Sequence, residues 1–229
     1  MGESWRNQYD QTGDIKYLEN AIAAYHRTNQ QWPKYVYNEI IVDCMIQRAT
    51  KIYTYDPIRG QIEAEKALAF WEPIVQNVEK SFGISIYFGA CQKAADICRA
   101  IPIATGDASQ RKKQLIAYQK RAIFFLEEGL IRLKEFPAEN FQRKYEEFSV
   151  FNNIRMMLVY IFVDTQDKSI MEKMFYYWKR YVDAEETAFG SSSSVKSDVI
   201  ALAEKLEKAG YSEDAAFYRK KAKKLEQKN

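Results

Sequence analysis

Apolar positions recur at helical spacing along almost the whole chain. Leu18, Ala21, Ile22 and Tyr25 stand at i, i+3, i+4 and i+7, so they share one helical face. Val199, Leu202, Ala203 and Leu206 repeat the pattern, and Ile116, Ile123 and Leu130 hold one face over a longer span. Strand signals are nearly absent, because no alternating apolar and polar run is bounded by Asn-Gly or Asp-Gly.

Glycine, proline and Asp/Asn signals divide this material into about ten helices. A short first helix carries Trp5 and Tyr9 and ends at Gly13-Asp14. The second runs from about Asp14 to Gln30, where Pro33 stops it by excluding helical geometry from the residue before it. The third spans roughly Lys34 to Tyr53. Asp56-Pro57 offers an N-cap and a proline in first position for the fourth, which Pro73 is expected to kink or split. The fifth runs from Gly83 to about Ile101, and the sixth from about Ser109 to Glu135. Pro137 is expected to open the seventh, to about Val163. The eighth follows Thr165-Gln166-Asp167 and ends near Glu186. Phe189-Gly190 and Ser191 to Ser194 read as a loop, and the last two helices flank Gly210.

Ten helices joined by short turns make five antiparallel hairpins, starting near Ser4, Lys34, Gly83, Glu139 and Ser197. Such hairpins can stack side by side, each covering its neighbour's apolar face. The third helix fits the inside of a stack. Its polar stripe of Glu39, Asp43, Gln47 and Lys51 is narrow, and most of the rest is apolar.

Two segments go further than generic helicity. Tyr9-x-x-Thr12-Gly13-Asp14-x-x-x-Leu18-Glu19-x-Ala21-Ile22-x-x-Tyr25, followed by Pro33, resembles a tetratricopeptide repeat (TPR). In that family the glycine makes the inter-helix turn, the small alanine lets the helices approach and the aromatic packs between them. Leu202-Ala203-x-x-Leu206-x-x-x-Gly210-x-x-x-x-Ala215, with Ala222 seven residues on, resembles the same repeat, with Arg219 at the position of the usual aromatic and Phe217 and Tyr218 just before it. The resemblance implies an all-α fold of antiparallel helical hairpins stacked as a TPR-like α-solenoid. On this reading residues 1–229 are one helical-repeat domain, with a TPR-like part at 1–55, irregular long-helix hairpins at 56–186 and a TPR-like hairpin at 195–229. The central hairpins stretch past the roughly 34 residues of a regular repeat.

Composition narrows the chemistry. The chain has 229 residues, 47% apolar and 28% charged, which is the balance of a folded protein. With 34 Lys+Arg and 31 Asp+Glu, the net charge of +3 is too small to imply nucleic acid by itself. One His (His26) and three Cys (Cys44, Cys91, Cys98) leave little material for a metal site or disulfides, so no metal or cofactor is expected. The acidic pairs Glu127/Glu128, Glu146/Glu147 and Glu185/Glu186 point about 100° apart on a helix and form no catalytic dyad. Phosphate-loop, dinucleotide-binding and nucleophile-elbow motifs are missing, so no catalytic residue is assigned and the protein is read as not an enzyme. Met1 to Arg6 leads into no apolar run, and Met156 to Val163, far shorter than the roughly 20 residues of a membrane helix, reads as part of a helix buried on several faces. No secretory leader, no membrane partner and a cytoplasmic location are therefore expected.

A preformed groove lined by the first helix of each hairpin is the expected binding surface. Lys34 and Asn38, at i and i+4, face one way, as do the first members of the clamp with which some TPR relatives hold a peptide's terminal carboxylate. The rest of that clamp is out of order here: the fifth helix has no Asn, and the seventh offers Asn152, Asn153 and Arg155. Trp5 adds an aromatic on the first helix. In the cluster around Trp178, Phe175 and Trp178 are expected in the core and Tyr177 and Tyr181 toward a partner. The expected function is a non-enzymatic scaffold or adaptor for a protein or peptide. The alternative is a helical regulator acting on nucleic acid through Arg219, Lys220, Lys221, Lys223, Lys224 and Lys228 at the basic end.

Overall fold

The computed structural model describes residues 1–190 and 193–226, and over these residues the chain is all-α. Ten α-helices and no strand occur among the described residues: α1 (Gly2–Thr12), α2 (Ile15–Gln31), α3 (Tyr35–Tyr53), α4 (Pro57–Asn77), α5 (Ile84–Ala100), α6 (Ala108–Leu133), α7 (Phe141–Thr165), α8 (Lys168–Phe189), α9 (Ser193–Lys208) and α10 (Ser212–Glu226). A single 3-10 turn, Lys80–Phe82, precedes α5. Of the expected serine loop, Ser191 and Ser192 lie outside the described residues, as does Lys228, whereas Ser194 belongs to α9. The chain groups into two compact units, 1–125 and 126–229.

Helix ends follow the predicted chemistry with two exceptions. The Asp14, Asp56 and Asp167 carboxylates accept backbone N–H groups of Lys16, Arg59 and Ser169, filling donors that each new helix leaves open. Gly13 takes the left-handed conformation (φ +67°) and donates its N–H to Tyr9 O at 2.7 Å, closing α1. The first exception is α7. Pro137 was expected to open it, but the helix begins four residues later at Phe141, because Asn140 supplies the cap by accepting the Arg143 N–H at 3.1 Å. The second is α4, which Pro73 does not split. Asn77 Nδ2 donates to the Pro73 carbonyl there at 2.6 Å.

In the first unit the helices α1 to α5 pack in chain order as antiparallel hairpins: α1 on α2, α2 on α3, α3 on α4, and α4 on α5. Leu18, Ala21 and Cys44 form a fully buried cluster against which Trp5, Tyr9, Ile22, Tyr25 and Ile40 pack. The TPR-like face read from sequence is thus the face that is buried. Asp43 of the narrow polar stripe on α3 reaches Lys93 of α5 at 2.6 Å. Trp71 is fully buried and donates its indole N–H to Ala90 O at 2.9 Å, joining α4 to α5. Gly60 sits buried where α4 crosses the end of α3; a Cβ there would lie 2.5 Å from Tyr53 Cα and 2.6 Å from its backbone N. Only glycine admits that approach.

In the second unit α7 packs on α8, α8 on α9, and α9 on α10. Val199, Leu202, Ala203 and Leu206 of α9 and Ala215 and Ala222 of α10 are buried, as the spacing predicts. Arg219 is exposed, and Tyr218, one residue earlier and 4% exposed, supplies the buried aromatic. α7 differs from expectation at its C-terminal end. Met156, Tyr160 and Val163 were read as part of a helix buried on several faces, yet they are 41%, 58% and 64% exposed. Buried on the other side of α7 are Val150, Ile154, Met157, Leu158 and Ile161. Among the described residues no helix is long and apolar enough to cross a membrane.

Candidate partner-binding groove

The expected site residues fall into three places. Trp5 is half-buried and stacked on Tyr17 (centroids 5.9 Å apart), so most of its ring serves the core of the first unit. Lys34 and Asn38 do come together. Both line an open groove of about 310 Å³ in the first unit, with Tyr35 and Phe82 beside them. Asn38 also has a structural task. Its Oδ1 accepts from Asn29 Nδ2 at 2.7 Å, while Asn29 Oδ1 accepts the Lys34 N–H at 3.0 Å, which ties down the turn around Pro33.

Asn152, Asn153 and Arg155 are half-buried on α7. Asn152 Oδ1 accepts from Arg155 Nε at 3.0 Å. That bond aims the guanidinium over the rings of Tyr181 (4.3 Å) and Trp178 (5.1 Å) on α8. The three form a cation–aromatic layer between α7 and α8.

Tyr177 and Tyr181 are 7% and 5% exposed, so the expectation that they present open faces is corrected. A buried phenol needs an acceptor, and each finds a carboxylate. Tyr177 donates to Glu127 at 2.5 Å and Tyr181 to Asp198 at 2.6 Å. Burial first, then the adjoining carboxylate, pushes both phenols well above the usual tyrosine value. The exposed member of the cluster is Tyr176, at 52%. Phe175 and Trp178 are buried, as expected.

A further concavity, in the second unit, has no counterpart in the sequence reading. It is a groove of about 520 Å³ between the end of α6, the start of α7 and the second half of α8. Leu130, Phe151 and the buried Tyr177 line it, and Ile131 (57% exposed) and Tyr176 present apolar surface to solvent. Four cations border it: Lys134, Arg143, Lys144 and Arg180. So do three carboxylates, and each of these is already engaged. Glu127 takes Lys173 at 2.7 Å as well as the Tyr177 hydroxyl, Glu147 takes Arg143 Nε at 2.9 Å, and Asp183 takes Lys221 at 2.7 Å. Among the described residues, Lys134, Lys144 and Arg180 have no carboxylate at ion-pair distance. Arg180 instead lies 5.6 Å from the Tyr176 ring, and its hydrogen bond to Tyr176, with the charges of Asp183 and Glu147 farther off, raises its pKa. The signal in the sequence was Tyr176 and Arg180 at i and i+4, but Lys134 and Lys144 belong to other elements and their meeting is tertiary.

The basic C-terminal helix is less open than its sequence suggests. Arg219 pairs with Glu207 at 3.2 Å, and Lys221 is shared between Asp183 at 2.7 Å and Glu186 at 2.8 Å. Lys220, Lys223 and Lys224 remain exposed. Cys44, Cys91 and Cys98 are buried thiols without a disulfide. His26 packs edge-on against Phe70 at 5.5 Å, and burial lowers its pKa. No group of three or more His, Cys, Asp or Glu side chains that could hold a metal occurs among the described residues.

No protein-family model matches the chain, and no curated protein matches it. Several solved structures overlay on it at low identity. BtubC (BKLC) from P. vanneervenii is 14% identical, with 94% of this chain and 73% of that one covered and a TM-score of 0.48. The de novo designed helical repeat protein DHR64 is 12% identical, with 100% and 97% covered and a TM-score of 0.47. A protein of nearly identical TPR-like repeats from Podosopora anserina is 11% identical, with 99% and 93% covered and a TM-score of 0.40.

Proposed function

We propose that this protein is a non-enzymatic, cytoplasmic scaffold or adaptor that binds a protein or peptide partner in a helical groove. The observation that carries the reading is the 520 Å³ groove of the second unit, where exposed apolar side chains sit beside cations that lack carboxylate partners. Such a surface joins an apolar centre to a charged rim, the anatomy of a recognition site. The walls are helices, so little conformational entropy is lost when a partner docks. The Lys34 and Asn38 groove of the first unit offers a second contact of the same kind.

A photo-crosslinking amino acid at Ile131, with one at the exposed Lys205 of α9 as control, tests the reading in the native host. The expected result is a discrete partner joined at Ile131 and absent at Lys205. With the crosslinker moved to the exposed Tyr176 of the same groove, Ile131→Glu should abolish capture of that partner while thermal unfolding stays unchanged. Equal capture from both positions, or capture indifferent to Ile131→Glu, would refute the assignment.

A further inference from the structure

We propose that the groove of the second unit selects an acidic protein segment, one that carries carboxylates beside one or two large apolar side chains. The inference rests on the partner-binding reading above and adds the chemistry of the partner. Its ground is the charge account around the groove. Of four bordering cations, Arg143 is spent on Glu147 and on the Phe136 carbonyl. The three bordering carboxylates are satisfied by Lys173, Arg143 and Lys221. Lys134, just past the end of α6, and Lys144 on α7 are left over, whereas Arg180 on α8 forms no ion pair but hydrogen-bonds Tyr176 and feels the charges of Asp183 and Glu147. Two unpaired lysines and a partly neutralised arginine around apolar surface complement carboxylates presented by a partner.

The spacing favours discrete carboxylates over a continuous polyanion. Glu127, Glu147 and Asp183 share the lining with the four cations, a mixture of signs that suits discrete ion pairs better than a phosphate backbone. Ile131 at 57% and Tyr176 at 52% exposure add apolar surface that a nucleic-acid backbone would leave uncovered and a leucine or phenylalanine would bury. An amphipathic segment with acidic flanks satisfies both needs at once.

The test uses three fluorescein-labelled peptides of about 14 residues, long enough for about four helical turns. Leucines stand at i, i+3, i+4 and i+7 in all three, and the other positions are Glu, Gln or Lys. Fluorescence anisotropy with the full chain should show saturable binding of the Glu peptide, weakening as salt is raised. Combining Lys144→Glu with Arg180→Glu should weaken it about tenfold or more, since two ion pairs become two repulsions. Lys205→Glu, on α9 and outside the groove lining, should leave it unchanged. Thermal unfolding of each variant keeps a folding defect from passing as a loss of binding. If the Gln peptide binds as well as the Glu peptide, the acidic partner is ruled out while the groove reading stands. If none of the three binds, both fall. A single-stranded oligonucleotide that displaces the Glu peptide at equal concentration would overturn the proposal in favour of a general polyanion site.

Discussion

Replacing Gly60 with alanine sets two forces of opposite sign against each other. Gly60 lies inside α4, where alanine is the better helix former by about 1 kcal/mol. Against that gain, the new methyl would sit 2.5 Å from Tyr53 Cα and 2.6 Å from Tyr53 N. Both are backbone atoms at the end of α3, so no rotamer change relieves the clash and α4 must move off α3. Overpacking of this kind costs about 1–3 kcal/mol, and more where backbone must shift. The net expectation is a loss of about 2 kcal/mol, or roughly 4–8 °C in Tm. Gly89 supplies the control. It lies inside α5 with nothing within 4 Å of its would-be Cβ, so Gly89→Ala should gain about 0.5–1 kcal/mol. Urea titrations followed by far-UV circular dichroism measure both. The packing argument fails if Gly60→Ala is as stable as the parent, or if the two substitutions shift stability in the same direction.

Three further outcomes follow from the structure. Glu185 is 3% exposed, and burial, with Asp198 beside it, holds its carboxyl above the ordinary 4.5 even though Ser194 donates to it. The folded state then binds this proton more tightly than the unfolded chain. The ionised form becomes a growing penalty as pH rises from 4.5 through the folded value, and none is present below 4.5. Glu185→Gln should therefore be nearly neutral in acid and stabilising at neutral pH, as read by urea midpoints across that range; a pH-independent difference would contradict it. Arg155→Ala removes the guanidinium that covers Tyr181 and Trp178, and should cost about 1–2 kcal/mol by chemical denaturation; no change would mean that the layer is incidental. Burial raises the Cys98 thiol to about 12 and also raises that of Cys44, so a thiol-specific disulfide reagent at mildly alkaline pH should leave both unreacted in the native protein and label all three cysteines in denaturant.

What could be read from the sequence was what depends on periodicity. Leu18 and Ala21 in the first unit, and Leu202, Ala203 and Leu206 in the second, are buried because a helix places every third or fourth residue on one side. The helix starts at Asp56 and Asp167 were visible because a side-chain cap is a local interaction. Tyr177 and Tyr181 were misjudged because the burial of a phenol is decided by its acceptor. Those acceptors, Glu127 and Asp198, lie 50 and 17 residues away. The start of α7 was misplaced because Pro137 and Asn140 both signal a helix start, and only the made hydrogen bond chooses between them. The cationic groove was invisible for a similar reason. Whether Lys144 or Arg180 is available depends on which carboxylates are already occupied, and Lys173 and Lys221 settle that from elsewhere on α8 and from α10. Lys34 and Asn38 were placed together by spacing alone, but the amide bonds that hold Asn38 in the turn were not legible.

The pairing of successive helices from α1 to α5, and from α7 to α10, has a kinetic meaning. Within each unit the main helix contacts join segments only a few tens of residues apart along the chain, so forming them closes short loops with a small entropic barrier. Chains dominated by such local contacts sit at the fast end of folding, with microsecond-to-millisecond relaxation. A hairpin can therefore form soon after it leaves the ribosome and serve as a template for the next, so the polypeptide never needs to wait for its far end.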